Sequence, residues 1–167
     1  MTVMEAIRAR RSIRKYQDRP VEEEKLQQVL EAGRLAPSAR NQQQWHFIAV
    51  TDKQLREKLP EACCGQTFVR EAPVVLVVTM TAEPRAMACG QLAQPMDCSI
   101  ALSFMMLEAV EQGLGCCWLG AFYADQVKAV LQLPENETVV AVAPMGYPEG
   151  EVAARPRKSA EEVISRR

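Results

Sequence analysis

Ala72-Pro73-Val74-Val75-Leu76-Val77-Val78 is an unbroken apolar run of seven residues. Its β-branched residues and unbroken hydrophobicity predict a strand covered on both faces, and it is too short to span a bilayer. Downstream, residues 81–94 are mostly small or polar and include no Phe, Trp or Tyr. From Asp97 the pattern turns helical, and Ile100, Ala101, Leu102, Phe104, Met105, Met106 and Leu107 leave little polar face. Such a helix must be buried, in the core or against another subunit. Gly113 is placed to end it as a C-terminal glycine. A strand over 116–119, a helix over 124–131 and a strand over 138–145 complete this half.

On the N-terminal side, a strand is predicted over 46–51 and a short helix over 53–59. Before them, Leu26, Val29, Leu30 and Gly33 recur at helical spacing to about position 35. Pro20 suits the start of that helix, Glu22, Glu23 and Glu24 suit its dipole, and Pro37 stops it. Helices and strands interleave without a linker or repeat, so residues 1–167 read as one mixed α/β domain.

Of the 167 residues, 48% are hydrophobic and 25% charged, as in soluble globular domains. A formal net charge of −1 argues against a nucleic-acid surface, which needs a basic footprint. The first residues contain no apolar core of a secretory signal, so a cytoplasmic protein with no membrane association is expected. Six cysteines are present, with Cys63-Cys64 and Cys116-Cys117 adjacent and Cys89 and Cys98 apart. There is no C-x-x-C, and the lone His46 is distant from them in sequence, so no metal site is expected. Reduced, mostly buried thiols are the favoured reading.

Two stretches carry chemistry. The first is Arg10-Arg11-Ser12-Ile13-Arg14, entered from a helix that Thr2 and Glu5 can close with a capping box. If that helix continued, Arg10 and Arg14 would repel one another a turn apart, and a bound phosphate would relieve them. Equally, cations at a helix end complement its dipole. The second is Ala36-Pro37-Ser38-Ala39-Arg40-Asn41-Gln42-Gln43-Gln44-Trp45. Free N–H groups near Ser38 and Ala39, with the Asn41 amide, suit the edge of a flat heteroaromatic ring. A surface loop anchored by Trp45 is the plainer alternative.

Five segments, taken in order, resemble the FMN-dependent nitroreductase family: 10–14, 36–47, 66–78, 97–122 and 155–158. The fourth closes on Gly113-Leu114-Gly115-Cys116-Cys117-Trp118-Leu119-Gly120-Ala121-Phe122, and the last is Arg155-Pro156-Arg157-Lys158. The resemblance implies an α+β fold, a three-layer α-β-α sandwich around a mixed, mostly antiparallel sheet. It also implies an obligate homodimer with FMN at the subunit interface. By the same resemblance, Arg10 and Ser12 hold phosphate, with Arg11 in the same set, and Arg155 and Arg157 join them from the far end. Arg14 approaches the N1/O2 edge of the flavin. Pro37, Ser38, Ala39 and Asn41 reach the partner's cofactor, and Gln66 touches the pyrimidine edge. Leu119 and Gly120 belong to the segment whose backbone N–H reaches flavin N5.

The implied activity is ping-pong hydride transfer from NADH or NADPH, through flavin N5, to a nitroaromatic, quinone or similar electron-poor acceptor. Flavin reductase and reductive dehalogenase are alternatives within the family. No protein nucleophile or acid–base pair is needed, and His46 reads as a packed or hydrogen-bonded residue. A non-enzymatic redox sensor or metal-binding module built on the vicinal cysteines is the alternative from another class.

Overall fold

The apolar run forms β2 (Val74–Met80) in the computed structural model, which describes residues 1–167. All of β2 is buried, because it lies between β1 (Trp45–Val50) and β4 (Thr138–Gly146) and is covered on both faces. With β3 (Gly115–Cys116) the sheet has the order β1-β2-β4-β3, and every ladder is antiparallel. A single bridge between Ser12 and Cys116 is the one parallel pairing.

Alternation along β2 divides the core into two layers, since successive side chains of a strand point to opposite faces. Val74, Leu76, Val78 and Met80 pack with Leu26 and Val29 of α2 (Glu23–Arg34) and with Cys98, Leu102 and Met105 of α5 (Ala93–Glu111). Val75 and Val77 pack instead with Leu59 of α3 (Lys53–Ala62), Val69 of α4 (Phe68–Glu71) and Val127 of α6 (Ala124–Leu131). The result is the α-β-α sandwich that the resemblance implied. β4 keeps step through a bulge, with Val78 opposite Ala141 and Thr79 opposite Val139.

Several boundaries differ from expectation. Helix α1 (Val3–Ala9) has the Thr2–Glu5 capping box, but it ends before Arg10, which is extended at φ −53°, ψ 130°. Arg10 and Arg14 therefore do not share a helical face. Helix α3 runs past position 59 and contains Pro60, because buried Leu59, Pro60 and Ala62 outweigh the backbone bond that proline forfeits. Helix α5 opens at Ala93, not at Asp97, and Leu92 gives it no side-chain cap. Gly113, at φ +74°, follows its C-cap in the left-handed conformation that glycine adopts freely. A 3-10 turn (Ala39–Asn41), α4 and α7 (Ala160–Val163) were not anticipated, being too short to show a period.

Candidate functional site

The segment after α1 is fastened to the end of the sheet. Ile13 N–H donates to the Cys116 carbonyl at 3.2 Å, beside the Ser12–Cys116 bridge. Gly115 permits this approach, since a Cβ there would collide with the Ile13 side chain. The buried Tyr16 hydroxyl is placed to donate to the carbonyls of Ile13 at 2.7 Å and Pro144 at 2.9 Å. The C-terminal tail returns alongside: Glu149 N–H donates to Lys15 O at 3.0 Å, and Arg11 Nε donates to Val152 O at 3.2 Å.

Between these two ends lies a cavity of about 350 Å³. Arg8, Arg10, Arg11 and Arg14 line it with Ser12 from one end of the chain, and Arg155 and Arg157 from the other. No carboxylate lines it. The ion pairs Met1–Glu111, Arg19–Glu22 and Arg34–Glu31 and the His46–Glu137 contact all lie elsewhere. Six guanidinium groups thus surround one hollow that has no counter-charge in its lining.

These cations differ in what they are free to do. Arg11 Nη1 donates to the carbonyls of Arg8, Ala9 and Arg10 at 2.6–3.2 Å. It thus closes the C-terminus of α1, where carbonyls lack partners, and is engaged in holding the fold. Arg10 makes no side-chain hydrogen bond, and Arg14 makes only a 3.5 Å contact to Ser12 O. Arg157 reaches the carbonyls of Arg155 and Pro156 at 3.4 and 3.3 Å. Beneath them, burial pushes the Cys117 thiol above its usual value against the pull of Arg14, the Ser12 hydroxyl, Arg10 and Arg155.

The 119–121 segment borders a second polar group. The Gln66 amide donates to Cys63 O at 2.9 Å and Ala121 O at 2.8 Å, which fixes its orientation. Leu119 is buried and its N–H donates to Val142 O at 2.9 Å, so that N–H has no capacity for a ligand. Gly120 is exposed and its N–H has no partner within the chain. Of the two residues named from sequence, Gly120 alone offers a donor.

Pro37, Ser38, Ala39 and Asn41 lie apart from the arginine cavity, at the N-terminal end of α5. The expectation of a free Ala39 N–H is corrected here, because the Asp97 carboxylate accepts it at 3.0 and 3.1 Å. Ser38 Oγ accepts Gln43 N–H at 3.0 Å, and Gln43 Nε2 donates to Asn41 Oδ1 at 3.1 Å. The loop is therefore a rigid hydrogen-bonded turn, with Arg40, Asn41 and Gln43 at positive φ. Asp97 lies inside α5 and anchors this loop, a role that nothing in a single sequence distinguishes from opening the helix.

His46 is tied down as expected of a hydrogen-bonded residue. Its Nδ1 lies 3.0 and 3.1 Å from the two oxygens of buried Glu137, which also accepts the Thr79 hydroxyl at 2.6 Å. Four thiols, Cys63, Cys98, Cys116 and Cys117, are buried, while Cys64 and Cys89 are exposed. Burial pushes Cys63 up to about 11 and Cys98 and Cys116 to about 12, which keeps them protonated. No cluster of three or more His, Cys, Asp or Glu side chains is gathered for a metal ion. No helix is long and apolar enough to cross a membrane.

The nitroreductase family profile matches residues 7–69 and 61–147, which hold the whole sheet and its covering helices. The chain belongs to the nitroreductase family. A protein of Methanothermobacter thermautotrophicus, provisionally named an NADH dehydrogenase/NAD(P)H nitroreductase, is 40% identical over 152 residues, covering 89% of this chain and 78% of its own. The FMN reductase (NAD(P)H) of Bacillus subtilis is 30% identical over 178 residues, covering 96% of this chain and 72% of its own. Among solved structures, the FMN-dependent nitroreductase of Clostridium difficile superposes with a TM-score of 0.84 at 30% identity, covering 97% and 98% of the two chains.

Proposed function

We propose that this protein holds FMN by its phosphate in the arginine cavity and passes electrons from NADH or NADPH to small electron-poor acceptors. The protein is an FMN-dependent NAD(P)H oxidoreductase. The observation that carries the assignment is the hollow lined by arginines from both ends of the chain and by no carboxylate. When bound, FMN supplies two-electron exchange by hydride transfer at its ring.

Arg10, Ser12, Arg155 and Arg157 are assigned to the phosphate; the Arg10 and Arg155 side chains spend no donor within the chain, and Arg157 reaches its carbonyls only at 3.4 and 3.3 Å. Arg11 contributes charge while it closes α1. Arg14 is assigned to the pyrimidine edge of the ring, where a cation favours electron uptake. Gln66 is assigned to the same edge, and Gly120 presents the free backbone N–H to the reacting side. No side chain is assigned as nucleophile or acid–base pair, because positioning against the ring supplies the rate. Nitroaromatics, quinones and free flavin are the acceptor classes.

A homodimer completes the site. Met4 and Ile7 of α1 and Phe104 of α5, on two helices that pack together, expose 53%, 48% and 42% of their surface, apolar area that a second copy would cover. Pro37, Ser38 and Asn41 stand outside the arginine cavity, available to the cofactor of the partner. Ala39 serves that turn through its anchored N–H. The unpaired cysteines suit the cytoplasm.

The test is direct. Purified protein is sized, its bound ligand is released by heat and identified by mass, and its flavin absorption is followed anaerobically on adding NADH or NADPH. A dimer that releases riboflavin phosphate and bleaches supports the proposal. A stable monomer that neither carries nor takes up FMN overturns it.

A further inference from the structure

Residues 81–92 carry Arg85, whose backbone is anchored at both its N–H and its carbonyl. Arg85 N–H donates to Gln94 Oε1 at 2.7 Å, and its carbonyl accepts Ala93 N–H at 2.9 Å. The turn beyond is closed by Met87 N–H to Gln91 O at 2.8 Å and by Gly90 N–H to Met87 O at 2.8 Å. Gln94, itself buried, donates to Gln44 Oε1 at 2.7 Å and pins this turn to the 36–44 loop. The Arg85 backbone is thus fixed by the first turn of α5.

Its guanidinium is poorly satisfied by comparison. Nε is shielded from solvent and has no hydrogen-bond partner, the one buried side-chain polar atom of the protein in that state. The sole side-chain contact is from Nη2 to Gln42 Oε1, at 3.5 Å. Glu83 forms no ion pair with it, and the Asp97 carboxylate is engaged by Ala39. A shielded cationic N–H without an acceptor loses hydration for nothing in return, unless a ligand supplies the acceptor.

We infer that Arg85 is a specificity residue that recognises an oxyanion on the molecules visiting the flavin site. The inference rests on the flavoenzyme reading above, which assigns the neighbouring 36–44 loop to the cofactor of the partner. Guanidinium geometry suits carboxylate and phosphate alike. The anion comes either from a carboxylated acceptor or from the phosphates of the nicotinamide donor, and the assay arms distinguish them.

Arg85→Met and Arg85→Lys are compared with wild type as FMN-loaded dimers. The oxidised proteins are titrated with benzoate and with benzamide, following the flavin absorption band. Rates are measured with 4-nitrobenzoate against nitrobenzene, and with NADH against 1-benzyl-1,4-dihydronicotinamide, which lacks phosphate. Arg85→Met is expected to weaken one charged probe by roughly tenfold or more, through KM or Kd, and to leave its uncharged counterpart unchanged. Arg85→Lys should recover part of that loss. Loss with the nitrobenzoate and benzoate pair assigns the acceptor, and loss with NADH alone assigns the donor. Equal effects on charged and uncharged probes, or none on either, overturn the inference. Failure of the underlying reading has a separate signature, wild type without FMN, and would remove the Arg85 assignment with it.

Discussion

The Asp97 carboxylate accepts the backbone N–H of Ala39 through both oxygens, at 3.0 and 3.1 Å, and so joins α5 to the 36–44 loop. Asp97 is buried, and the two residues are 58 positions apart. Asp97→Ala leaves the Ala39 N–H unpaired, which should cost about 1–3 kcal/mol. Urea unfolding measures that cost. Asp97→Asn, which retains one acceptor oxygen, should lose less. If the loop contributes to the cofactor of the partner, FMN release from Asp97→Ala should also be faster than from wild type.

The arginines of the cavity should separate into two kinds. Arg10→Ala should weaken FMN binding at least tenfold at an unchanged melting temperature of the apoprotein, because the Arg10 side chain bonds nothing within the chain. Arg11→Ala should destabilise the apoprotein by about 1–2 kcal/mol, since it uncovers the end of α1. Fluorescence titration with FMN and thermal melting of the two variants check this. Equal melting temperatures would contradict the division.

Glu137 holds Thr79 and His46 together across β2 and β1. Thr79→Val removes a 2.6 Å donor from a buried carboxylate and should cost about 2 kcal/mol, the penalty of an under-bonded buried charge. Combined with His46→Ala in a double-mutant cycle, the two changes should prove non-additive in denaturant melts, because they share one acceptor.

Alkaline pH should weaken the fold in a defined window. The thiols of Cys98 and Cys116 are raised from about 9 to about 12, and burial lifts Tyr16 well above its usual range. A raised folded value means that the stabilisation is complete below the unfolded value, here about pH 9. It is then lost as pH rises toward the folded value, because only the unfolded chain ionises. The urea midpoint should therefore hold to pH 9 and fall steadily above it, more shallowly in Cys98→Ala. In the native state a thiol reagent should react rapidly with Cys64 and Cys89 alone, and with all six cysteines after denaturation.

What was legible without the fold is what neighbouring residues decide between them. The β2 run, the heavily apolar α5, the Thr2–Glu5 cap and the Gly113 terminus all depend on local periodicity or local backbone chemistry. The arginine-rich ends were equally visible, as was their kinship to one family. Which donors remain free was not visible, because hydrogen bonds are exclusive and their partners are remote. Arg11 meets Val152 across 141 positions, Ala39 meets Asp97, and Leu119 meets Val142. Only packing of the three layers could determine that Arg10 and Gly120 are left open while Arg11 and Leu119 are committed.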